Sequence, residues 1–193
     1  LANQGVSGML LNSNLILYDR RDLGLWPQLA MGAVSGPLSG RSQRYLPYSV
    51  VDREQWAAEH PESTIMLSQF SSFGCLENVY LPYFAEDDDI HFPLQNEDSR
   101  FLNKSHIVGV LFDGVARAYP FEELRRAPGG RVDHQFPGGV LSLEIGDDWG
   151  EIRVLSVPDG VQVVAPTFWF SWAAYFPETQ VYRVPEPTSV AIV

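Results

Sequence analysis

Asp87, Asp88, Asp89 and His91 form the densest set of cation ligands in this 193-residue chain. Carboxylate oxygens so close together suit Ca²⁺. An EF-hand loop, however, also needs a glycine at its sharp turn and a terminal glutamate, and both are missing. The expectation is a solvated acidic loop, with these four residues as the only candidate metal ligands. The remaining histidines, His60, His106 and His134, are scattered without zinc-helix spacing. Cys75 is the single cysteine. One thiol excludes an intrachain disulfide, a C-x-x-C pair and a cysteine zinc cage. Flanked by Phe73 and Leu76 with no neighbouring cation, it reads as a small buried hydrophobe.

Nucleophilic and acid–base patterns are equally incomplete. Gly5-Val6-Ser7-Gly8 starts like a nucleophile elbow, but Met9 replaces the last glycine and a strand follows where a helix is required. Ser35 lies in a turn and is expected to serve that turn's hydrogen bonds. Glu122 with Glu123 and Asp147 with Asp148 are sequence neighbours, whose side chains diverge on a helix or strand. Asp19-Arg20 and Arg117 adjoin apolar strands and are expected to form a partly buried ion pair pinning two strands, in preference to a substrate contact. No catalytic or cofactor-binding set emerges, so no cofactor is expected and the reading leans away from an enzyme.

These residues must be carried mainly by short strands. Gly and Pro number 16 and 14 and are spread as punctuation. Apolar runs at 9–11 and 15–18 flank Asn12-Ser13-Asn14 and predict a hairpin. Asp113-Gly114, between 107–112 and 115–119, predicts a second hairpin with a type I′ turn. Further strands are expected at 140–145, 152–157 and 161–164. Asp52 with Gln55 predicts a capped helix ending near Glu59, before Pro61. A second helix is expected after Tyr119, with Pro120 at its first position, and a third from Phe168 to about Tyr175.

Trp56-Ala57-Ala58 through Ser63 echoes Trp172-Ala173-Ala174 through Thr179, each followed by an apolar run. The expected architecture is therefore a single β-rich α+β domain over 1–193, with mostly antiparallel sheet and short helices. It contains an approximate internal duplication of units 1–67 and 106–184, joined by an irregular excursion at 68–105.

The net charge of −11 opposes binding to nucleic acid or anionic lipid. The most apolar window, 161–176, is too short and too broken to span a bilayer, and no signal peptide is read in the chain. Aromatic side chains are the remaining resource. Phe168, Trp169, Phe170, Trp172, Tyr175 and Phe176 surround one helix, which must be buried on all sides by the domain or by a partner. Tyr80, Tyr83 and Phe84 add exposed-aromatic candidates in the excursion. Tyr80, Tyr83, Phe84, Phe168, Trp169 and Trp172 are the expected interaction residues.

Several stretches together resemble the bacterial and archaeal family known as domain of unknown function 3179. They are Gly5-Val6-Ser7-Gly8-Met9-Leu10, Leu17-Tyr18-Asp19-Arg20, Leu25-Trp26-Pro27-Gln28 and Val34 to Gly40, with the first Trp-Ala-Ala unit. Ile107 to Val110, Ala116 to Pro120 with Leu124, and Phe168 to Trp172 complete them. The resemblance implies an extracytoplasmic protein. Many members carry a Cys-Pro-x-Cys-like motif just upstream of the Gly-Val-Ser-Gly segment, suited to thiol exchange or soft-metal binding. This chain starts after the place where that dithiol would lie. Asp22 and Gly24 also replace the family's Thr and Ser, and Asp147-Asp148-Trp149 carries no cysteine after the second Tyr-Pro element, so redox chemistry is not carried over.

The resulting expectation is a non-catalytic extracytoplasmic subunit that docks on a protein partner through aromatic residues. The alternatives are an accessory to a thiol-redox or metal-handling system, and a carbohydrate-binding or carbohydrate-active domain.

Overall fold

The computed structural model describes residues 3–64, 80–146 and 150–185. Cys75, Asp147 and Asp148 lie outside the described residues. The chain opens with the hairpin of β1 (Gln4–Leu11) and β2 (Asn14–Asp19), with Leu11 opposite Asn14. Asn12 and Ser13 take positive φ values of 50° and 59°, as a two-residue type I′ turn requires. A bulge between Val6 and Leu10 puts Gly8 at φ 75°. Ser7 staples this bulge: its hydroxyl donates to the Ile16 carbonyl at 2.6 Å and accepts from the Met9 N–H at 3.0 Å. β3 (Leu25–Pro27) pairs with β2 and completes a three-stranded sheet.

The second hairpin joins β4 (His106–Phe112) to β5 (Val115–Pro120), with Asp113 at φ 49° and Gly114 at φ 75°. β6 (Arg131–Phe136), β7 (Gly139–Ile145) and β8 (Ile152–Ser156) form a separate antiparallel sheet. β9 (Gln162–Phe168) then returns to β4, and the short β10 (Gln180–Val181) pairs parallel with β5. The fold is thus β-rich α+β, and among the described residues the named strands pair antiparallel except at β10. Among the described residues four short α-helices accompany the strands: α1 (Arg53–Glu59), α2 (Leu81–Ala85), α3 (Phe121–Arg126) and α4 (Trp169–Tyr175). α3 starts one residue later than its proline suggests, because Pro120 still belongs to β5 and serves as the N-cap.

Ile107 to Val110 of β4 are all buried, which explains their unbroken apolar run: the four-stranded sheet is covered on both faces. Val108, Val110 and Tyr119 pack with Leu124, Leu141 and Leu143 toward the β6–β8 sheet. Ile107 and Ala118 pack on the other face with Trp169, Trp172 and Leu29. The turn of the first hairpin docks on α4. Asn12 is buried, with its Nδ2 donating to the Ala174 carbonyl at 3.4 Å, and the Tyr175 hydroxyl donates to the Leu11 carbonyl at 2.9 Å.

The two Trp-Ala-Ala segments fold alike. The indole of Trp56 donates to Ser63 Oγ at 3.1 Å, and that of Trp172 to Thr179 Oγ1 at 2.9 Å. Each helix ends on a residue with φ near −130°, whose N–H returns to the tryptophan carbonyl. Their surroundings differ. Asp52 caps α1, and Arg153 of β8 binds Glu59 through both carboxylate oxygens at 2.8 and 3.0 Å, yet Trp56 stays 46 % exposed. Trp172 is fully buried.

Candidate functional site

α2 is only five residues long and places Pro82 in its first turn. Its carbonyl end is capped by Lys104, whose buried ammonium donates to the Tyr83 and Glu86 carbonyls and lies 3.7 Å from the Tyr83 ring centre. Asp87 secures the same corner, accepting from the Asn103 and Lys104 N–H groups at 2.9 and 2.8 Å. The sequence just ahead of β4 thereby holds α2 against the sheet.

The result is a continuous aromatic strip. Tyr80 and Tyr83 lie 6.2 and 5.7 Å from Phe84, and Phe84 lies 5.9 Å from Phe168. His91 packs 4.5 Å from Tyr83. Tyr80, Leu81 and Phe92 are 59, 62 and 46 % exposed, whereas Tyr83, Phe84 and Phe168 are half-buried. Burial, with Asp89 adding to it, raises the Tyr83 phenol above its ordinary range. Beside the strip runs an open groove of about 850 Å³, lined by Asp88, His91, Phe92, Leu94, Glu97 and Asp98. Arg100 hydrogen-bonds Asp98 and holds its carboxyl below the usual range.

The structure separates the expected interaction residues into two sets. Tyr80, Tyr83, Phe84 and Phe168 are brought together on the strip. Trp169 and Trp172 are instead fully buried, so they do not form part of a docking surface. Their indole N–H groups are satisfied internally, by the Asp98 carbonyl at 2.8 Å and by Thr179.

The acidic run does not converge on a cation. Asp87 spends both oxygens on backbone N–H groups, Asp89 faces His91 Nε2 at 3.0 Å, and Asp88 lines the groove. Among the described residues no group of three or more His, Cys, Asp or Glu side chains is placed to hold a metal.

Asp19, Arg20 and Arg117 are not joined either. Asp19 closes a local turn by accepting from the Arg21 N–H at 2.8 Å, and Arg20 is exposed. Among the described residues neither arginine forms an ion pair with Asp19, and Arg117 lies on β5, in a different sheet from β2.

Arg117 belongs to another cluster. Gln180 Oε1 accepts from its Nε and Nη2 at 3.2 and 2.5 Å, and its Nη1 lies 3.0 Å from His134 Nε2. A guanidinium only donates, so Nε2 must accept and Nδ1 carries the proton, donated to the Tyr119 hydroxyl at 2.8 Å. Tyr182 stacks on Tyr119 at 4.9 Å and closes the cluster. Burial, then the Arg117 charge, lowers the His134 pKa, and burial pushes Tyr119 up to about 12. A depressed histidine favours the fold above its unfolded value and loses that contribution as pH falls through the folded one. His134 should therefore be neutral and Nδ1-protonated at pH 7. ¹⁵N ring shifts check this, and an imidazolium there would contradict the assigned bonds.

The family described as protein of unknown function (DUF3179) matches the chain over residues 2–158. The chain belongs to the DUF3179 family. No curated protein and no solved structure matches it. The matched span of this DUF3179 chain runs from β1 through β8 and includes α2, the groove and the Arg117–His134–Tyr119 cluster.

Sequence reasoning missed Leu81, Phe92 and His134. His134 carried a usable signal, because Val132, His134 and Phe136 alternate along β6 and must share a face. Leu81 and Phe92 carried none, since nothing local distinguishes an exposed apolar residue in a loop from a buried one. Among the described residues no helix is long and apolar enough to cross a membrane.

Proposed function

We propose that this DUF3179 chain is a non-catalytic binding or assembly subunit, working outside the cytoplasm, that docks on a protein partner through the α2 strip. The observation that carries this reading is the strip itself. Tyr80, Leu81 and Phe92 stand exposed near the half-buried Tyr83 and Phe84, beside a groove bordered by Asp88, Glu97 and Asp98. Rigid aromatics are the usual anchors of protein contacts. The chemistry selects a partner segment with an apolar or aromatic side chain flanked by Lys or Arg, and the charge of −11 steers such a segment inward. The extracytoplasmic setting comes from the family resemblance.

Native mass spectrometry of the protein purified from its source, followed by release of individual chains, tests the proposal. The expected species is a complex that sheds a defined, different partner chain on release. Tyr80→Ala should weaken that partner's binding about tenfold or more, consistent with the ~1–2 kcal/mol of an aromatic anchor. Raising the salt concentration should slow association. A bare monomer, or a partner indifferent to Tyr80→Ala, would remove the reading.

A further inference from the structure

A second concavity, sharing no lining residue with the groove, lies between the first sheet and β9. It is lined by Leu17 and Trp26, paired across β2 and β3, by Val164, Pro166 and Thr167 around β9, and by the segment around Tyr45 and Tyr48. The Tyr45 segment is tied down. The Tyr45 hydroxyl donates to the Gln28 carbonyl and its N–H to Gln162 Oε1 at 3.2 Å, and burial pushes the phenol up to about 12. The volume is about 270 Å³, just under the about 300 Å³ where clefts for drug-sized ligands begin, which suits a single ring.

The chemistry of the lining narrows the ligand. The chain carries a charge of −11, yet no carboxylate lines this cleft, so a cation is disfavoured. Arg44 is its only charged side chain, which is too little positive charge for a polyphosphate. The other polar side chains are the amides of Asn14, Gln28 and Gln43 and the hydroxyl of Thr167, set around Trp26, Tyr45 and Tyr48. Amides and hydroxyls both give and accept hydrogen bonds, as sugar hydroxyls do, and aromatic faces pack against the C–H face of a pyranose.

Asn14 supplies the second observation. Its Oδ1 is buried without a hydrogen-bond partner and is the only such side-chain atom among the described residues. An unpaired buried acceptor costs stability, and it sits on a residue lining the cleft. A hydroxyl satisfies an amide in either orientation, so a polyhydroxylated ring fits here better than a one-way donor.

We infer that this cleft binds one pyranose unit, with Asn14 as a hydrogen-bonding residue and Tyr45 and Tyr48 as its stacking residues. The intact protein is titrated with the methyl glycosides of glucose, galactose, mannose and N-acetylglucosamine, observed by saturation-transfer NMR. At least one should give saturable transfer to its ring protons. Asn14→Ala should weaken that binding roughly fivefold to tenfold, the worth of one neutral hydrogen bond, while leaving the melting temperature unchanged or higher. Tyr48→Ala, at a 45 % exposed position, should weaken it as well without unfolding the protein. Silence from all four glycosides, undiminished binding in both variants, or a lowered melting temperature for Asn14→Ala would each overturn the inference. Neither Asn14 nor Tyr48 belongs to the α2 strip, so these outcomes are independent of the proposed docking.

Discussion

Adding one methyl group at Gly109 should destabilise the protein by about 3 kcal/mol, the upper end of ordinary overpacking. A Cβ there would stand 2.2 Å from Cζ3 of the Trp172 ring and 2.5 Å from two further ring carbons. The backbone cannot retreat, because Gly109 is paired with Ala118 on one side and Val164 on the other. The ring cannot swing away, because its N–H is bonded to Thr179 and the indole is fully buried. For a domain of this size 3 kcal/mol corresponds to a melting shift of about 6–12 °C.

Trp172→Ala should cost still more, about 3–5 kcal/mol, by leaving a cavity between α4 and the sheet. Trp56→Ala removes the matching residue of the echoed segment, with the same local hydrogen bond, from a 46 % exposed site. It should change stability by no more than about 1 kcal/mol. Urea unfolding of the three variants checks the set. Equal losses at Trp56 and Trp172 would contradict the difference in burial on which the argument rests.

Glu123→Gln should cost about 2–3 kcal/mol at neutral pH and flatten the acid limb of the stability profile. Glu123 is 1 % exposed, an unusual place for a carboxylate on a short helix. Burial by itself would raise its pKa. The Arg183 hydrogen bond at 2.7 Å, the Val184 N–H at 3.0 Å and the charges of Arg126 and Arg183 outweigh that and hold it below the ordinary value of 4.5. A depressed carboxylate contributes fully above its unfolded pKa and loses the contribution as pH falls through the folded one. The wild type should therefore weaken below about pH 4.5 more steeply than Glu123→Gln. The cost stays below the about 3–5 kcal/mol of a stranded buried charge, because Arg183 is 56 % exposed and rehydrates.

The local consequence is specific. Glu123 anchors residues 183 and 184, and Tyr182 beside them stacks on Tyr119, so the variant should loosen the Arg117–His134–Tyr119 cluster. Hydrogen exchange of the 180–184 amides, measured against β4, reports this. Unchanged protection there, or an unchanged acid limb, would mean that Glu123 is not the anchor.

What could be read without tertiary information was whatever a few consecutive residues decide. Asp113-Gly114 adopts the positive φ pair its residue types favour, and Asp52 caps α1 through the N–H groups of Glu54 and Gln55. The capping box closes differently from its pattern, because the Asp52 N–H goes to Glu151 of a remote segment at 2.5 Å. The all-round apolar α4 had to be buried, and Trp169 to Ala174 are. The two Trp-Ala-Ala segments end their helices alike, since the bonds that shape those ends span only seven residues.

Which tryptophan lies inside was beyond that reach. Burial of Trp172 depends on Gly109, sixty-three positions away, leaving room for its ring. The same separation misdirected the reading of Arg117, whose partners arrive from β6 and β10 rather than from Asp19. It also misdirected Asp87, whose oxygens are used by backbone groups ahead of β4. Sequence by itself determined the turns, the helix caps, the β-rich composition and the acidic charge, because backbone preferences act over one to four residues. Only the tertiary structure decided which aromatics face solvent, which carboxylates are occupied and where an unpaired amide borders a cleft. Those outcomes depend on strand register and on how sheets stack, and both are set by segments that meet only after the chain has folded.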